Sequence, residues 1–379
     1  MMKTLLINTV QSKGSTGNIV TSLYRGYKEL GHDTYLIYGR GPKGKEDNVY
    51  KVTLELESKL HHLISLFTGN MYGGMYLSTR RIISRIKKIN PDVIHIHLLN
   101  GYYVNVYRLI SWLKKQPYKV ILTMHADFMM SANCGIAMDC EKWRTNECKG
   151  CQYVKSFNGR YSLNRTHHFY KKMYKAFKDY PKDRLTITGV SPWLVGRIKS
   201  SPIYKGFNVQ TVLNPVDEYF LEKVDVKKND KQVLFVTPDY YDELKGSKYL
   251  VELASKMKDY HFIVVDAKEQ EIDKLDNMEV IYHPSRERLR ELYQSSRCTL
   301  LLSKRETFSM VALESIASDT PVTGFKNGGT ESWLGEDNFV EYGDISLLID
   351  SIKNIDNKVN DNKSQFSKIE IARDYIKLI

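Results

Sequence analysis

The sequence predicts an α/β protein built from two domains, each a doubly wound parallel sheet covered by helices. First, short apolar runs alternate with helical patterns from the amino terminus onward. Second, this alternation restarts after EKVDVKKNDKQ (222–232), a charged stretch with few apolar residues. Third, 379 residues exceed one ordinary domain and suffice for two, each with its own core.

The first domain is expected to contain at least five strands joined by crossover helices. A helix follows the first strand, because Ile19, Leu23, Tyr27 and Leu30 recur on one stripe and Gly31 can close it. NVYRLISWLKK has a similar helical period and separates two further strands. The predicted strands are KTLLINTV (3–10), HDTYLIYG (32–39), PDVIHIHLL (91–99), YKVILTMHA (118–126) and RLTITGV (184–190).

The second domain repeats the same order of short strands and helices. Its predicted strands are KQVLFVTP, HFIVVDA, MEVIYHP, CTLLLS and PVTGF, and its clearest helices are KYLVELASKM and ERLRELYQSS. The last helix, SKIEIARDYIKLI, carries apolar residues along its length, and no further strand follows it. We therefore expect this helix to dock on a surface that is already built.

The positive charge is concentrated in the first half of the chain. Residues 1–220 contain 33 Lys and Arg against 15 Asp and Glu, whereas residues 221–379 contain 23 against 29. Such asymmetry predicts that the basic half meets an anionic partner, with nucleic acid and an acidic membrane surface as candidates. No RNA-binding or zinc-finger helix pattern accompanies the charge, which disfavours nucleic acid.

The location expected for the protein is the cytoplasm. No run of about 18 apolar residues indicates a membrane-spanning helix. The amino-terminal apolar core, residues 5–7, is too short for a signal peptide and lacks a cleavage site of small residues.

A lysine-rich helical stretch, FYKKMYKAFKDYPKDR (169–184), has two interpretations. Phe169, Met173 and Phe177 share one face, and lysines surround the rest. The face can pack in the core while the lysines remain in water, or it can contact a membrane. The basic run RRIISRIKK (80–88) raises the same question.

Polar residues gather where strands end, which is where ligands bind to open parallel sheets. In GSTGN, Gly14 and Gly17 would let the backbone approach an anion at a helix start, or they simply form a strand–helix turn. His97 and His125 close two strands, with His95 on the same face as His97. Each imidazole can act on a sugar hydroxyl or be satisfied by neighbouring backbone.

Four cysteines occupy an 18-residue stretch that fits neither a strand nor a helix. They are Cys134, Cys140, Cys148 and Cys151, spaced C-x5-C-x7-C-x2-C. This pattern suits a closed structural Zn²⁺ site, with free thiols and disulfides as the other possibilities. A reducing cytoplasm disfavours disulfides. Cys298 lies in an apolar strand and is expected to pack there.

Two further features lie in the second domain. Lys245, in DELKGSKYL, begins a helix after a strand and can reach a phosphate, although Lys–Gly is also ordinary turn chemistry. Glu306 and Glu314, in RETFSMVALES, are eight residues apart. If Thr307 or Ser309 caps a helix starting near Met310, Glu306 lies in the preceding loop and Glu314 one turn inside the helix. Both carboxylates could then border one ligand; otherwise they are solvated residues of an amphipathic helix.

The ordered set of motifs resembles a known family. Glu306-x7-Glu314 resembles the E-x7-E signature of retaining GT-B glycosyltransferases of family 4, which usually place glycines at the positions of Thr307 and Ser309. Further resemblance is to the branch that builds capsular, exopolysaccharide and colanic-acid-type chains. It rests on GSTGNIV, HIHLLNGYYVN, LTMHADF, the cysteine-bearing loop, GVSPWL (189–194) and VLNPVD (212–217).

This resemblance implies a GT-B fold, in which two Rossmann-like domains face each other across a cleft. Residues 1–220 would form the acceptor-side domain, with the cysteine-bearing insert at about 128–165. Residues 221–360 would bind the nucleotide sugar, and residues 361–379 would form a terminal helix crossing back to the first domain.

The resemblance also implies roles for individual residues. Glu306 and His125 would contact the donor sugar as catalytic residues, and His97 and Asp127 would lie on the acceptor side. Donor binding would involve Gly14, Gly17, Lys245, Ser309, Met310 and Glu314, the last through the ribose hydroxyls. The leaving diphosphate would help to deprotonate the acceptor, with lysine and helix dipole in place of a catalytic metal.

One position departs from the family pattern. Members commonly place an arginine about five residues before the Lys–Gly pair, and Tyr240 stands there in this chain. Either Lys304 or Arg305 would then supply the missing positive charge near the diphosphate, or the enzyme would be weak. The larger Thr307 and Ser309 would narrow the space around the donor sugar.

The implied partners are a UDP- or GDP-sugar, a lipid-linked glycan acceptor and the anionic inner face of the cell membrane. Two other classes of protein remain possible at this stage. One is a non-catalytic nucleotide-sugar or glycan-binding partner of a transferase complex, which the missing arginine favours. The other is a GT-B nucleotide-sugar epimerase, which the E-x7-E frame disfavours.

Overall fold

The chain divides into two compact units, which we describe separately. The computed structural model describes residues 1–44, 46–131, 133–356 and 363–379, without the side chains of residues 157 and 158. The first unit comprises Met1–Pro215 with Lys368–Ile379, and the second comprises Val216–Ser367. The boundary expected between residues 360 and 361 lies outside the described residues.

The first unit is built on a seven-stranded sheet in the order β3-β2-β1-β4-β5-β6-β7, with parallel pairing throughout. The strands are β1 Lys3–Val10, β2 Asp33–Arg40, β3 Val49–Lys51, β4 Val93–Ile96, β5 Lys119–Met124, β6 Leu185–Gly189 and β7 Asn208–Thr211. The helices are α1 Gly14–Glu29, α2 Glu55–Thr68, α3 Tyr76–Ile89, α4 Val106–Leu113, α5 Lys142–Thr145, α6 Val154–Asn158, α7 Thr166–Phe177 and α8 Pro192–Ser200.

The second unit is built on a six-stranded parallel sheet in the order β10-β9-β8-β11-β12-β13. Its strands are β8 Asn229–Thr237, β9 His261–Asp266, β10 Met278–Tyr282, β11 Ser296–Leu301, β12 Val322–Phe325 and β13 Phe339–Val340. Its helices are α9 Lys248–Lys256, α10 Arg286–Ser295, α11 Met310–Ala317, α12 Gly329–Leu334 and α13 Ile345–Asn354. The prediction of two doubly wound parallel sheets is therefore confirmed.

The final helix, α14 (Lys368–Ile376), belongs to the first unit and packs on α1. Gly26 makes this contact possible, because a Cβ there would lie 2.5 Å from the Lys368 carbonyl oxygen. An ion pair between Lys368 and Glu29, at 2.8 Å, adds to the contact. Tyr375 of α14 is fully buried, and Thr123 donates a hydrogen bond to its hydroxyl at 3.2 Å.

Two local expectations need correction. GSTGN is the first turn of α1, which begins at Gly14, and is not a turn preceding the helix. In the lysine-rich helix α7, Phe169, Met173 and Phe177 are each at most 3% exposed. That face belongs to the core and is closed to a membrane. Among the described residues, no helix is both long enough and apolar enough to span a bilayer.

Candidate functional site

The loop between β11 and α11, with the first turns of the helix, contains Glu306, Ser309, Met310 and Glu314, four of the residues expected near the donor. Ser309 caps α11, and its hydroxyl oxygen accepts a hydrogen bond from the Ala312 N–H at 3.2 Å. The helix begins at Met310, as expected, so Glu306 lies in the loop and Glu314 inside the helix. Because the first N–H groups of a helix have no intrahelical acceptor, this end favours an anionic group.

Ser309 adopts a backbone conformation that glycine tolerates better than serine. Its φ of +71° lies in the region where a Cβ meets neighbouring backbone atoms. The glycine that resembling enzymes carry at this position would adopt the conformation without that strain. The geometry of this loop thus matches the glycine pattern, although this chain uses serine.

Lys245 and Glu306 form an ion pair beside the start of α11. Lys245 Nζ donates to Glu306 Oε1 at 2.7 Å, and both side chains are largely buried. Gly246 fixes the lysine, because its φ is +72° and a Cβ would lie 2.0 Å from the Leu302 carbonyl oxygen. The Lys304 N–H also donates to the Leu244 carbonyl at 2.9 Å, which ties the two loops together.

Glu306 is fixed from its other side by the start of α12. Its N–H donates to the Asn327 carbonyl at 3.1 Å, and its carbonyl accepts from the Gly329 N–H at 3.0 Å. A Cβ at Gly329 would lie 2.3 Å from the Thr307 carbonyl carbon, so only glycine fits this approach. The glycine pair in KNGGTE is a sequence signal for this close contact, although it belongs to none of the motifs described above.

Glu314 lies in a surrounding that disfavours its ionised form. Burial raises the pKa of Glu314 from 4.5 to about 7, and the negative charge of Asp217 adds to the rise. A hydrogen bond from the Tyr293 hydroxyl, at 3.1 Å, and the positive Arg286 act in the opposite direction. Tyr293 and Arg286 were not identified from the sequence, and Asp217 was noted only as the end of VLNPVD, because no motif links these residues to Glu314.

Tyr240 does not provide the positive charge that the family pattern places at this position. Its ring is buried in the hydrophobic core of the second unit, and its N–H donates to Asp266 Oδ2 at 3.2 Å. The neighbouring Asp239 is paired with Lys268 at 2.8 Å.

Three histidines gather near the carboxyl ends of β4 and β5 in the first unit, with His95 inside β4 and His97 and His125 just beyond the two strands. His97 Nδ1 and His125 Nε2 are 3.0 Å apart and share a hydrogen bond. The rings of His95 and His97 are tilted by 36° with centroids 4.1 Å apart, and the nitrogens of His95 form hydrogen bonds with Tyr27 at 3.1 Å and Thr123 at 2.8 Å.

These histidines are held neutral by their surroundings. Burial lowers the pKa of His125 to about 4 and that of His95 to about 3, and it lowers the pKa of His97 as well. A neutral imidazole has one nitrogen that can donate a hydrogen bond and one that can accept a hydrogen bond. The role expected for His125, contact with the donor sugar, requires a ring of this kind. Contact of His125 or His97 with a substrate stays a prediction.

Asp127 is engaged within the protein. Arg197 donates to both of its carboxylate oxygens, at 3.0 and 2.9 Å, and the Ala137 N–H donates to Oδ2 at 2.8 Å. Asp127 is 1% exposed, so this pair holds the segment after β5 against α8. Its assignment to the acceptor side stays a prediction.

The two glycines of the α1 start differ in their surroundings. Gly14 has a φ of +65° and open space where a Cβ would be. Gly17 is buried, and a Cβ would lie 3.1 Å from Val10 Cγ2 and 3.4 Å from the Ser12 nitrogen. Gly17 therefore serves the packing of α1 on the end of β1, and donor contacts of both glycines stay a prediction.

The four clustered cysteines influence one another electrostatically. The Cys134 and Cys151 thiols share a hydrogen bond, which raises the pKa of Cys134 and lowers that of Cys151, and Cys140 and Cys148 raise the pKa of Cys134 further. All five cysteines lie in the described part of the chain, and none forms a disulfide. However, the described residues contain no group of three or more His, Cys, Asp or Glu with the arrangement of a metal site.

Two Rossmann-like parallel-sheet units, with polar residues beyond their strand ends, define the GT-B class of fold. Residues 218–364 match the family model described as Glycosyl transferases group 1. Residues 16–203 match the model described as Glycosyltransferase Family 4. The chain is therefore a glycosyltransferase of the GT-B fold.

Solved structures of glycosyltransferases share this fold at low sequence identity. Sucrose-phosphate synthase from Thermosynechococcus elongatus has a TM-score of 0.64 and 12% identity, with 100% of this chain and 98% of that chain covered. The pneumococcal O-GlcNAc transferase GtfA, solved with UDP and GlcNAc, has a TM-score of 0.61 and 11% identity over 100% and 98%.

Starch Synthase IV from Arabidopsis thaliana, solved with ADP and acarbose, is a further match. It has a TM-score of 0.58 and 12% identity, with 100% of this chain and 98% of that chain covered. No curated protein sequence matches the chain.

Proposed function

We propose that the protein is a retaining family 4 glycosyltransferase that moves a hexose-type sugar from a nucleotide-diphosphate sugar onto a growing, lipid-linked glycan. The product would be a bacterial surface polysaccharide of the capsular or exopolysaccharide kind. The observation that carries the proposal is the position of the Lys245–Glu306 pair beside the start of α11, with Glu314 one turn further on.

In this proposal the second unit binds the donor. The diphosphate meets the helix start at Ser309 and Met310, where N–H groups and Lys245 offset its charge as the glycosidic bond breaks. Glu314 accepts hydrogen bonds from the ribose hydroxyls. Glu306 turns from Lys245 toward the sugar, so donor binding exchanges an internal ion pair for contacts with substrate.

The first unit is proposed to contact both the donor sugar and the membrane. His125 contacts the donor sugar, oriented by its hydrogen bond to His97, and the basic surface of residues 1–220 meets the inner face of the cell membrane. UDP accompanies one similar structure and ADP another, which supports a nucleotide-diphosphate donor without choosing its base.

The test begins with donor binding. Thermal shifts across UDP-, GDP- and ADP-sugars identify the donor, and sugar transfer and slow donor hydrolysis are then measured. A charge-assisted phosphate contact is worth about 1.5–3 kcal/mol, so Lys245→Ala should raise the donor KM about 10- to 100-fold. Lys256→Ala, which breaks only an exposed ion pair with Glu252 on α9, is the control.

Glu306→Gln separates chemistry from binding. We expect it to lower kcat more than it changes donor KM, because the residue acts on the sugar near its reacting centre. Ordinary kinetics in both Lys245→Ala and Glu306→Gln would refute the site. Donor binding without transfer or hydrolysis would instead favour the binding partner of a transferase complex.

We further propose that Cys134, Cys140, Cys148 and Cys151 hold a structural Zn²⁺ ion. The spacing C-x5-C-x7-C-x2-C, which brings four thiols into 18 residues, supports this proposal. Four thiolates would fill a tetrahedral shell and leave no position for substrate. Protein purified without chelator should contain one zinc per chain, and a metal-free protein of equal stability would contradict the proposal.

A further inference from the structure

Helix α2 presents its apolar side to solvent and its polar side to the protein. Its exposed residues include Leu56, Leu60, Leu63, Ile64 and Phe67, with 47% to 78% of their surface accessible. The residues that it buries are Ser58, His61 and Ser65, none more than 7% exposed. A helix that serves only the fold has the opposite arrangement.

The exposed residues form one continuous stripe. At about 100° per residue, the five apolar side chains lie within an arc of about 100°, and the three buried residues point the other way. Over its 14 residues the helix is about 21 Å long. Tyr161 continues the stripe, because its ring stacks on Phe67 at 6.4 Å and is 72% exposed.

Polar contacts attach α2 to the first unit. The Ser58 hydroxyl donates to the Tyr102 carbonyl at 2.7 Å, and the His61 ring lies edge-on to Tyr102 at 5.7 Å. The Ser78 N–H donates to Glu57 at 3.1 Å, and Gly69 ends the helix with a φ of +68°. These contacts orient the helix so that its apolar stripe points outward.

Basic cavities adjoin both ends of α2. Beyond its carboxyl end, a cavity of about 900 Å³ is bordered by Asn70, Gly73, Gly74 and Tyr76 and by six cations: Arg108, Lys114, Lys115, Lys172, Lys175 and Lys178. At its amino end, a cavity of about 540 Å³ includes Leu54 and the cations Lys43, Lys51, Arg81 and Arg85.

The acidic residues of α2 cancel part of this charge. Glu55 accepts hydrogen bonds from Lys51 at 2.9 Å and from the Gly41 N–H at 3.0 Å. Glu57 is paired with Arg81 at 3.0 Å. Four cations border the amino-end cavity against these two carboxylates, and six border the other cavity against Asp179, so cations are in excess at both ends of the stripe.

We infer that α2 is a membrane-binding helix, which inserts its apolar stripe into the interface of a bilayer while the adjoining basic cavities bind anionic lipid headgroups. An apolar stripe flanked by cations is the combination by which interfacial helices bind membranes. The inference rests on the proposed function for its purpose, since a lipid-linked acceptor must be reached at the membrane. The proposed membrane contact is therefore α2 and not α7, because the apolar face of α7 is buried.

Lipid fits this surface better than a second copy of the chain. A two-fold contact through α2 would bring the basic cavities of two copies toward each other, and like charges oppose such a contact. An anionic bilayer satisfies the stripe and the charge together.

The experiment measures binding of the full chain to vesicles by flotation. The vesicles contain phosphatidylcholine with or without phosphatidylglycerol, and neither donor nor acceptor is present. The test variant is Leu60→Gln/Phe67→Gln, since both side chains are exposed and their loss leaves the core intact. Leu347→Gln is the matched control, because this leucine of α13 is 52% exposed and lies in the second unit.

Wild-type protein and the control should float with phosphatidylglycerol vesicles, and the double variant should bind at least about tenfold more weakly. Lys115→Gln/Lys175→Gln, which removes two exposed cations of the cavity beyond the carboxyl end of α2, should weaken binding and reduce its dependence on salt. Donor-induced thermal shifts should be unchanged in Leu60→Gln/Phe67→Gln. Donor binding and vesicle binding are therefore measured separately, and failure of the proposed transferase function can be told from failure of the membrane inference.

Three results would overturn the inference. In the first, the double variant binds vesicles as well as the wild type. In the second, the wild type binds neither kind of vesicle. In the third, the wild type dimerises with rising concentration and the double variant does not, which would make α2 a contact between copies.

Discussion

Replacing Glu314 by glutamine should stabilise the second unit, and the gain should depend on pH. The amide keeps the shape of the carboxyl and can still accept the hydrogen bond from Tyr293. It removes the cost of an ionised group in a buried position, where the pKa of Glu314 is raised from 4.5 to about 7. At about 1.36 kcal/mol per pKa unit, that cost is about 3 kcal/mol once the carboxyl is ionised in both states.

The pH at which the gain appears follows from the direction of the shift. Below the unfolded pKa of 4.5 the carboxyl is protonated in both states, so the variant gains nothing. As pH rises toward 7 the unfolded chain loses its proton first, and the folded state becomes relatively less stable. The advantage of Glu314→Gln should therefore be below about 1 kcal/mol at about pH 5 and near its full value at about pH 8.

Urea unfolding at both pH values measures the effect, with Glu269→Gln, an exposed residue of the same unit, as the control. The same variant should bind donor more weakly, because an amide oxygen is a poorer acceptor for ribose hydroxyls than a carboxylate. An equal change in stability at the two pH values would refute the electrostatic reasoning. Unaltered donor binding would refute only the ribose contact.

Substitutions at Ser309 and Arg197 test the loop before α11 and the buried ion pair between Arg197 and Asp127. Ser309→Gly should stabilise the second unit by about 0.5–1 kcal/mol in urea unfolding, because glycine relieves the positive φ and costs a cap only a few tenths. Ser309→Ala should instead destabilise it by about 1 kcal/mol, since it loses the cap and keeps the strain. Arg197→Met should cost about 3–5 kcal/mol, because it leaves the Asp127 carboxylate buried without its cation. Adding Asp127→Asn should recover part of that loss, and a cost below about 1 kcal/mol for Arg197→Met would contradict the assigned role of the pair.

Most of the strands could be predicted because a strand buried on both faces of a parallel sheet has a nearly continuous apolar sequence. KTLLINTV, for example, coincides with β1. The edge strands β3, β7 and β13 were missed, since they contain three, four and two residues and show no such run. Predicted strands also extended past the observed ends, as with β4, which stops at Ile96 and leaves His97 just beyond it.

The outward apolar stripe of α2 could not be predicted, because periodicity separates the two faces of a helix without saying which face is buried. The usual expectation would bury Leu60 and Leu63 and expose Ser58 and Ser65. The orientation is decided by contacts far along the chain, such as the hydrogen bond from Ser58 to the Tyr102 carbonyl.

The contact between Lys245 and Glu306 could not be predicted from the sequence either, because 61 residues separate them. Their sheet positions made proximity plausible, since β8 and β11 are neighbours and both residues follow strand ends. The direct bond depends on Gly246 approaching the Leu302 carbonyl, which no spacing rule reveals. At Tyr240 the resemblance suggests a contact that the structure does not contain. The family pattern places a phosphate-binding arginine at this position, and the tyrosine found here lies in the hydrophobic core.

Two sources of instability meet at α11, and the donor proposed to bind at its amino-terminal end would account for both. Ser309 holds a positive φ at the cap, and Glu314 places a carboxyl where burial opposes its charge. Neither is needed for packing, because the core face of α11 is formed by Ala312, Leu313 and Ile316. Strained backbone and shifted pKa values concentrate where a protein binds or reacts. If the donor occupies this end, its ribose hydroxyls donate hydrogen bonds that favour the ionised form of Glu314. These hydrogen bonds offset part of the free energy that ionising the buried carboxyl costs in the free protein. A ligand without the ribose would not offset that cost, so the site would select ribose-bearing ligands.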